Sequence, residues 1–182
     1  IEHYKAILAA VDVNIVLYDL PSHAGVEVGF EVLDAFAKEG RVIGIKESSG
    51  NVMRAAEIVR RYGADYHLLS GADYLALDLF QWGARGWVCG SANCFPRQTN
   101  AIMRAALAGD YARAKAEAIA VAPGMACLEA SKFMQKTKYG CELHGVPVGL
   151  ARRPHLALTD AEKAEFRRAF EESSGTRARP AA

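Results

Sequence analysis

Four short apolar runs, separated by segments with helical periodicity, most constrain how this chain folds. The runs are rich in residues that favour β-structure and lie at 14–18, 42–45, 66–70 and 86–90. Apolar runs of this length predict strands that are buried on both faces. Because each interval leaves room for one helix, the pattern is typical of right-handed βαβ crossovers in a parallel sheet.

The segments between and after these runs have the apolar spacing of helices. The chain opens in an apparent helix at residues 2–8. Further helices are predicted at 28–38, 52–62, 74–82, 97–108, 111–121, 125–139 and 160–170. No strand is predicted after the fourth run, so the sequence indicates an α/β protein whose sheet is followed by helices alone.

Composition restricts the partners that we expect. The 182 residues are 51% hydrophobic and 24% charged, with a net charge of +1, which is typical of a soluble globular protein and favours neither nucleic acid nor membrane as a partner. The four cysteines form no Cys-x-x-Cys pair and the five histidines have no ligand spacing, so we expect no metal site and a reduced, cytoplasmic setting. The chain begins at Ile1 without an initiator Met, and we expect it to be a piece of something longer.

Polar residues follow the predicted strands. Tyr18 ends the first run and Lys46 ends the second. In a parallel sheet these ends meet at one edge, where reactive groups gather. A lysine at the end of a buried strand has a reason to be uncharged, and an uncharged amine attacks carbonyls. The residues therefore suggest a Schiff-base enzyme in which Tyr18 moves protons beside Lys46.

Each of these residues also has a purely structural interpretation. Lys46 fits a lysine that only extends its stem into water, and Tyr18 fits a strand-end aromatic whose hydroxyl is solvated. For Asp19 and Asp73 we favour capping or turn roles. Ser48 and Ser49 fit a turn before the next helix, although backbone amides there could also hold a carboxylate.

Four motifs in order resemble a known family. They are residues 17–21 (Leu-Tyr-Asp-Leu-Pro), 44–50 (Gly-Ile-Lys-Glu-Ser-Ser-Gly), 69–73 (Leu-Ser-Gly-Ala-Asp) and 83–93 (Gly-Ala-Arg-Gly-Trp-Val-Cys-Gly-Ser-Ala-Asn). Together they resemble the dihydrodipicolinate synthase and N-acetylneuraminate lyase family of class I pyruvate aldolases. The resemblance extends from about residue 1 to residue 170.

The resemblance implies the second half, strands 5–8, of a (β/α)8 TIM barrel with a C-terminal helical extension. We expect residues 1–96 to form the half-barrel, residues 97–172 the barrel-closing helix and the extension, and residues 173–182 a disordered tail. A whole barrel takes roughly 250 residues. The first half, from which the family takes its glycine-rich segment and its paired hydroxyl residues for the pyruvate carboxylate, is therefore expected to be absent from this chain.

The resemblance also assigns roles to individual residues. Lys46 is expected to form an imine with pyruvate or a related 2-oxo acid, and Tyr18 to relay protons. Gly71 and Val88, the latter through its backbone, are expected to line the pocket, while His23 and Ser48 are expected to bind substrate. No cofactor is implied. The expected partners are pyruvate, an aldehyde or sugar-acid substrate, and further copies of the chain in a dimer or tetramer.

Two positions depart from the family pattern. Synthases of lysine biosynthesis usually carry Asn after the tyrosine and Arg two residues after the proline, where this chain has Asp19 and His23. A histidine binds an anion only when protonated and lacks the bidentate fork of arginine. We therefore expect an aldolase or dehydratase acting on a sugar-derived 2-oxo acid. The alternatives are a synthase of lysine biosynthesis and an inactive, truncated or non-enzymatic family member.

Overall fold

The computed structural model describes residues 1–175, which divide into two compact units. The first unit comprises residues 1–88 and contains every predicted site residue. The second begins at Cys89. The sequence-based division at residue 96 lies eight residues further along the chain than this boundary.

The first unit is built on a parallel sheet whose four strands follow one another in chain order. These strands are β1 (Ile15–Asp19), β2 (Val42–Glu47), β3 (His67–Ser70) and β4 (Gly86–Trp87). The helices are α1 (Glu2–Ala10), α2 (Pro21–Ala24), α3 (Phe30–Phe36), α4 (Val52–Tyr62) and α5 (Ala76–Gln81), with one 3₁₀ turn at Asp73–Leu75. The predicted class, an α/β fold with a parallel sheet, is confirmed, although β4 is shorter than the predicted fourth strand.

The register of β1 and β2 places polar residues side by side at the carboxyl edge of the sheet. Tyr18 is the neighbour of Lys46, and Asp19 is the neighbour of Glu47. Because side chains alternate along a strand, the first pair and the second pair lie on opposite faces. The sheet therefore carries two different polar groups back to back at this edge.

Burial differs between the two faces of β1. Leu17 and Asp19 are buried, whereas Val16 and Tyr18 on the other face are exposed. The prediction that these strands are buried on both faces is therefore wrong for β1. Four strands do not close on themselves, so within this unit one face of the sheet is left open.

Helix α4 covers the buried face and matches the predicted helix 52–62 at both ends. Asn51 caps it, because its side chain accepts a hydrogen bond from the Arg54 amide. Its buried residues include Ala55 and Ile58, which belong to the apolar core of this unit together with Ile45 of β2. Arg54 lies on the same buried side of the helix.

The second unit contains helices and no strand among its described residues. It contains α6 (Pro96–Leu107), α7 (Tyr111–Ala130), α8 (Phe133–Leu143) and α9 (Asp160–Ser174), with a 3₁₀ turn at Ser91–Asn93. Phe95, Ile102, Leu128 and Phe166 lie in its core. Thr159 and Glu162 form a reciprocal capping box at the start of α9.

One predicted helix break in this unit is wrong. The sequence placed a break between residues 121 and 125, but α7 continues through Pro123. A proline inside a helix removes a backbone donor and frees a carbonyl. The buried Ser173 hydroxyl contacts this helix on both sides of Pro123, because it accepts from the Gly124 amide at 2.8 Å and donates to the Val121 carbonyl at 3.3 Å.

The first two residues of the predicted tail are helical. Ser173 and Ser174 are the last residues of α9, and Ser173 is buried through its contact with α7. A tail was predicted at 173–182 because these residues lack apolar periodicity. Apolar periodicity does not indicate whether a serine is buried. Residues 176–182 of that prediction lie outside the described residues. Within residues 1–175, no helix is long and apolar enough to cross a membrane.

Candidate active site

The amine of Lys46 lies against the aromatic ring of Tyr18. The two residues are paired neighbours on β2 and β1, and Lys46 Nζ is 3.7 Å from the centroid of the ring. A lysine ammonium over an aromatic face is attracted by the ring quadrupole. Tyr18 is 49% exposed and Lys46 is half-buried, so both side chains are open to a small molecule.

Gly71 lies directly against the stem of Lys46. It follows the last residue of β3, and its amide donates to the Glu47 carbonyl at 2.9 Å. A Cβ at this position would lie 2.7 Å from Lys46 Cε and would collide with Ser48 Oγ. A larger residue at this position would therefore have to displace the side chain of Lys46 or Ser48.

Ser48 brings a hydroxyl to the same place. Its Oγ is buried and has no hydrogen-bond partner among residues 1–175. Ser48 Oγ and Lys46 Cε both lie against Gly71, because a Cβ on that glycine would clash with each of them. Buried polar groups are ordinarily paired, and an unpaired one needs an explanation such as an absent ligand. The structure thus brings Lys46, Tyr18, Gly71 and Ser48 close to one another at the carboxyl edge of the sheet, and their common role in a pocket stays a prediction.

The other two predicted substrate-binding residues are Val88 and His23. Val88 follows β4 and donates its amide to the Ser70 carbonyl, so a backbone contact from Val88 to a substrate would use its carbonyl oxygen. His23 is exposed on α2, and its recorded side-chain contact is with the neighbouring Ser22 hydroxyl at 3.1 Å. The structure does not draw His23 into the cluster around Lys46.

A buried charged cluster, which we name the Arg54 cluster (Asp19, Glu47 and Arg54), lies on the reverse face of the same strand ends. Arg54 Nε is 3.0 Å from Glu47 Oε2 and 3.2 Å from Asp19 Oδ2. The side chains of these three residues are no more than 3% exposed. Burial raises the pKa of the Glu47 carboxyl above its ordinary value, although hydrogen bonds from Ser49 and the charge of Arg54 act in the opposite direction.

The expectation that Asp19 is only a cap or turn residue is therefore incomplete. Its Oδ1 accepts the Val28 amide at 2.9 Å, as a turn residue would, but its second oxygen is ion-paired with Arg54 at 3.2 Å and has no hydrogen-bond partner within residues 1–175. Asp73 is also more than a cap: its carboxylate accepts the indole N–H of Trp87 at 3.0 Å and so joins the ends of β3 and β4. The sequence singled out neither contact, because both depend on residues far along the chain.

This arrangement offers an amine, a phenol and an unpaired hydroxyl at one edge of a parallel sheet. An amine can add to a carbonyl carbon, and a nearby hydroxyl can move the protons that this addition requires. Within the described part of the chain, no group of three or more His, Cys, Asp or Glu side chains is arranged to hold a metal ion. The fold and the site thus define an α/β protein with a lysine amine at the carboxyl edge of its sheet.

The particular family follows from comparison with known sequences. The chain belongs to the dihydrodipicolinate synthetase family, whose model matches residues 1–173. The 4-hydroxy-tetrahydrodipicolinate synthase of Methanosarcina mazei is 33% identical over 165 residues, which cover 90% of this chain and 57% of the relative. The synthase of Halorhodospira halophila is 32% identical over 173 residues, covering 95% of this chain and 58% of that protein.

Solved structures show the same similarity. The crystal structure of dihydrodipicolinate synthase from Aquifex aeolicus matches with a TM-score of 0.89 at 29% identity, covering 94% of this chain and 59% of that one. The chloride-inhibited synthase of Acinetobacter baumannii, solved in complex with pyruvate, matches with a TM-score of 0.88 at 26% identity, again covering 94% and 59%. The chain therefore spans a little more than half the length of the relatives that it matches.

Proposed function

We propose that this chain carries the imine-forming half of a Schiff-base lyase. In this proposal Lys46 attacks the ketone carbon of pyruvate or a related 2-oxo acid, water leaves, and an imine joins Lys46 Nζ to C2 of the acid. The observation that carries the proposal is the position of Lys46 Nζ over the Tyr18 ring, beside a glycine that leaves space for the lysine stem.

The imine then serves as an electron sink. Once the imine nitrogen is protonated, C3 of the bound acid loses a proton to give an enamine, which adds to an aldehyde; in reverse, a bond between C3 and C4 breaks. Tyr18 relays protons at the nitrogen, and Ser48 offers its unpaired hydroxyl to the acid. This chemistry needs no cofactor, because the lysine itself supplies the electron sink.

The finer architecture belongs to the same proposal. We assign β1 to β4 to strands 5–8 of a (β/α)8 barrel, residues 1–96 to its second half, and residues 97–172 to the closing helix and the helical extension. The support is the parallel order of the strands, the open face that carries Tyr18 and Lys46, and the family match. Family resemblance further supports a cytoplasmic dimer or tetramer.

The proposal has two forms, which differ in the second substrate that reacts with the enamine. Relatives named 4-hydroxy-tetrahydrodipicolinate synthase favour that reaction, whereas His23, in the place of the family's arginine, favours an aldehyde or sugar acid of another kind. Asp19 does not bear on this choice in our proposal, because its side chain is buried in the Arg54 cluster. Comparing wild type with His23→Arg against a panel of aldehydes and sugar acids separates the two: a gain for carboxylate-bearing aldehydes alone identifies His23 as the selecting residue.

Deuterium exchange tests the reaction class without knowledge of the second substrate. Enamine formation exchanges the methyl protons of pyruvate with D₂O, which proton NMR follows directly. We expect the full-length native protein to accelerate the exchange, and Lys46→Arg, which keeps the charge but not the nucleophile, to abolish it. Exchange at the buffer rate in folded wild-type protein would instead support the inactive or non-enzymatic alternative.

A further inference from the structure

We propose that Arg54 is a positioning residue, which fixes the carboxyl ends of β1 and β2 so that Tyr18 and Lys46 keep one geometry toward the bound acid. Arg54 itself lies on the reverse face of the sheet and touches neither reacting group. This inference rests on the proposed function of Lys46, and it assigns a role in that function to a residue outside the pocket.

The guanidinium of Arg54 holds four separate pieces of backbone together. Its Nε lies between Glu47 at the end of β2 and Asp19 at the end of β1. Its Nη1 is 2.9 Å from Glu27 Oε1, and its Nη2 donates to the Val28 carbonyl at 2.5 Å, so it also binds the segment that follows α2. Since Arg54 is on α4, one side chain ties this helix to both strand ends and to the loop between α2 and α3.

Each carboxylate of the cluster is the direct chain neighbour of a proposed reacting residue. Asp19 follows Tyr18, and Glu47 follows Lys46, across a single planar peptide. Backbone amides hold the outer oxygens of both carboxylates: Val28 donates to Asp19 at 2.9 Å and Ser49 donates to Glu47 at 2.6 Å. A change in the cluster therefore moves the backbone from which the phenol and the amine project.

The choice of arginine favours positioning over simple stabilisation. Buried ion pairs contribute little net stability, because desolvation offsets their attraction, but they specify a unique arrangement in some proteins. The planar fork of arginine reaches several acceptors at fixed angles, which the single ammonium of lysine does not. If geometry is what the cluster provides, a lysine at position 54 restores the charge but only part of the function.

The test measures how fast the imine forms in folded protein. Full-length native protein is mixed with pyruvate, quenched with borohydride at successive times, and the reduced adduct on Lys46 is quantified by mass spectrometry. At saturating pyruvate we expect Arg54→Met to lower the rate constant about 10- to 100-fold, as small misplacements of reacting groups do. We expect the rate constant of Arg54→Lys to lie between those of Arg54→Met and the wild type. The half-saturating pyruvate concentration is expected to change far less than the rate constant.

The controls separate positioning from folding. Arg60→Met removes an exposed arginine of the same helix, which is ion-paired with Glu57. We expect the reduced adduct on Lys46 to form at the wild-type rate in this variant. A loss of folded protein lowers the final amount of adduct but not the rate constant per folded molecule. If Arg54→Met does not fold, Asp19→Asn and Glu47→Gln each remove one charged partner and are expected to slow trapping several-fold.

The experiment distinguishes a failure of the proposed role of Arg54 from a failure of the proposed function of Lys46. Wild-type trapping on Lys46, together with wild-type rate constants in folded Arg54→Lys, Asp19→Asn and Glu47→Gln, would overturn the role of Arg54 and leave the proposed function standing. Absence of any adduct in the wild type would overturn both.

Discussion

Lys46 Nζ lies 3.7 Å from the centre of the Tyr18 ring, so the amine meets the face of the aromatic side chain. The ring and the hydroxyl of Tyr18 therefore have separable roles. The ring places the amine through a cation–π contact, and in the proposed function the hydroxyl relays protons once a 2-oxo acid is bound.

Replacing Tyr18 by Phe tests this separation. We expect Tyr18→Phe to keep the lysine in place but to lower the rate of imine formation at least about 100-fold, the lower end of what proton transfer by a positioned group contributes. Tyr18→Ala loses the ring as well and is expected to be slower still. Time-resolved borohydride trapping measures both variants, and equal rates for Tyr18→Phe and wild type would remove the hydroxyl from the mechanism.

Gly71→Ala tests the close approach of β3 to the lysine. The added methyl group would displace Lys46 or Ser48, both of which are flexible side chains, so we expect a large loss of trapping with little change in the thermal midpoint. The double variant Gly71→Ala/Ser48→Ala is the matched control, because it removes the clash with the serine and keeps the clash with the lysine. Full recovery in the double variant would show that the serine, not the lysine, requires the glycine.

The raised pKa of Glu47 predicts a pH dependence of stability. The native state holds the proton of this carboxyl more tightly than the unfolded state does, because burial disfavours the charged form. Its contribution is therefore complete below the unfolded value of about 4.5 and is lost as the pH rises through the higher native value. We expect denaturant unfolding to show a decline over this window in wild type that is absent in Glu47→Gln.

Glu57 provides a control of opposite sign. Its hydrogen bonds and ion pairs with Arg60 and Arg61 lower its pKa to about 2, so its contribution is present above the unfolded value and is lost as the pH falls. Glu57→Gln should therefore leave the decline attributed to Glu47 unchanged. If Glu57→Gln abolishes that decline, the assignment to Glu47 is wrong.

Ser173→Ala tests how α7 tolerates its internal proline. The change leaves the buried Gly124 amide without its acceptor, and an unsatisfied buried donor costs about 1–3 kcal/mol. The adjacent Ser174 is the matched control: its buried hydroxyl has no hydrogen-bond partner within residues 1–175, so Ser174→Ala should be neutral or slightly stabilising. Equal free energies of unfolding for the two variants would contradict the bridging role of Ser173.

Sequence patterns predicted what depends on neighbours along the chain. Lys46 and Tyr18 lie at the ends of β-rich runs, and parallel strands bring their ends to one edge, so periodicity predicted that both residues lie at that edge. The limits of α4 followed from its apolar spacing. These features need no knowledge of distant contacts.

The Arg54 cluster could not be predicted in the same way. In the sequence Arg54 is one of three arginines on α4, and its acidic partners Asp19 and Glu47 lie on other elements. The available signal was its position: residues 54, 58 and 62 share the buried stripe of the helix, and a charged residue there requires a buried partner. The continuation of α7 through Pro123 was missed for a similar reason, because the helix is contacted there by Ser173, fifty residues further along the chain.

Peptide-level mass spectrometry after borohydride reduction with pyruvate tests the central claim most directly. We predict a single modified peptide, with the mass of pyruvate less water plus two hydrogens placed on Lys46, and the same result in Lys38→Met, which removes an exposed lysine of the first unit. Unmodified Lys46 in folded full-length native protein, or an adduct spread over surface lysines that persists in Lys46→Arg, would contradict the account.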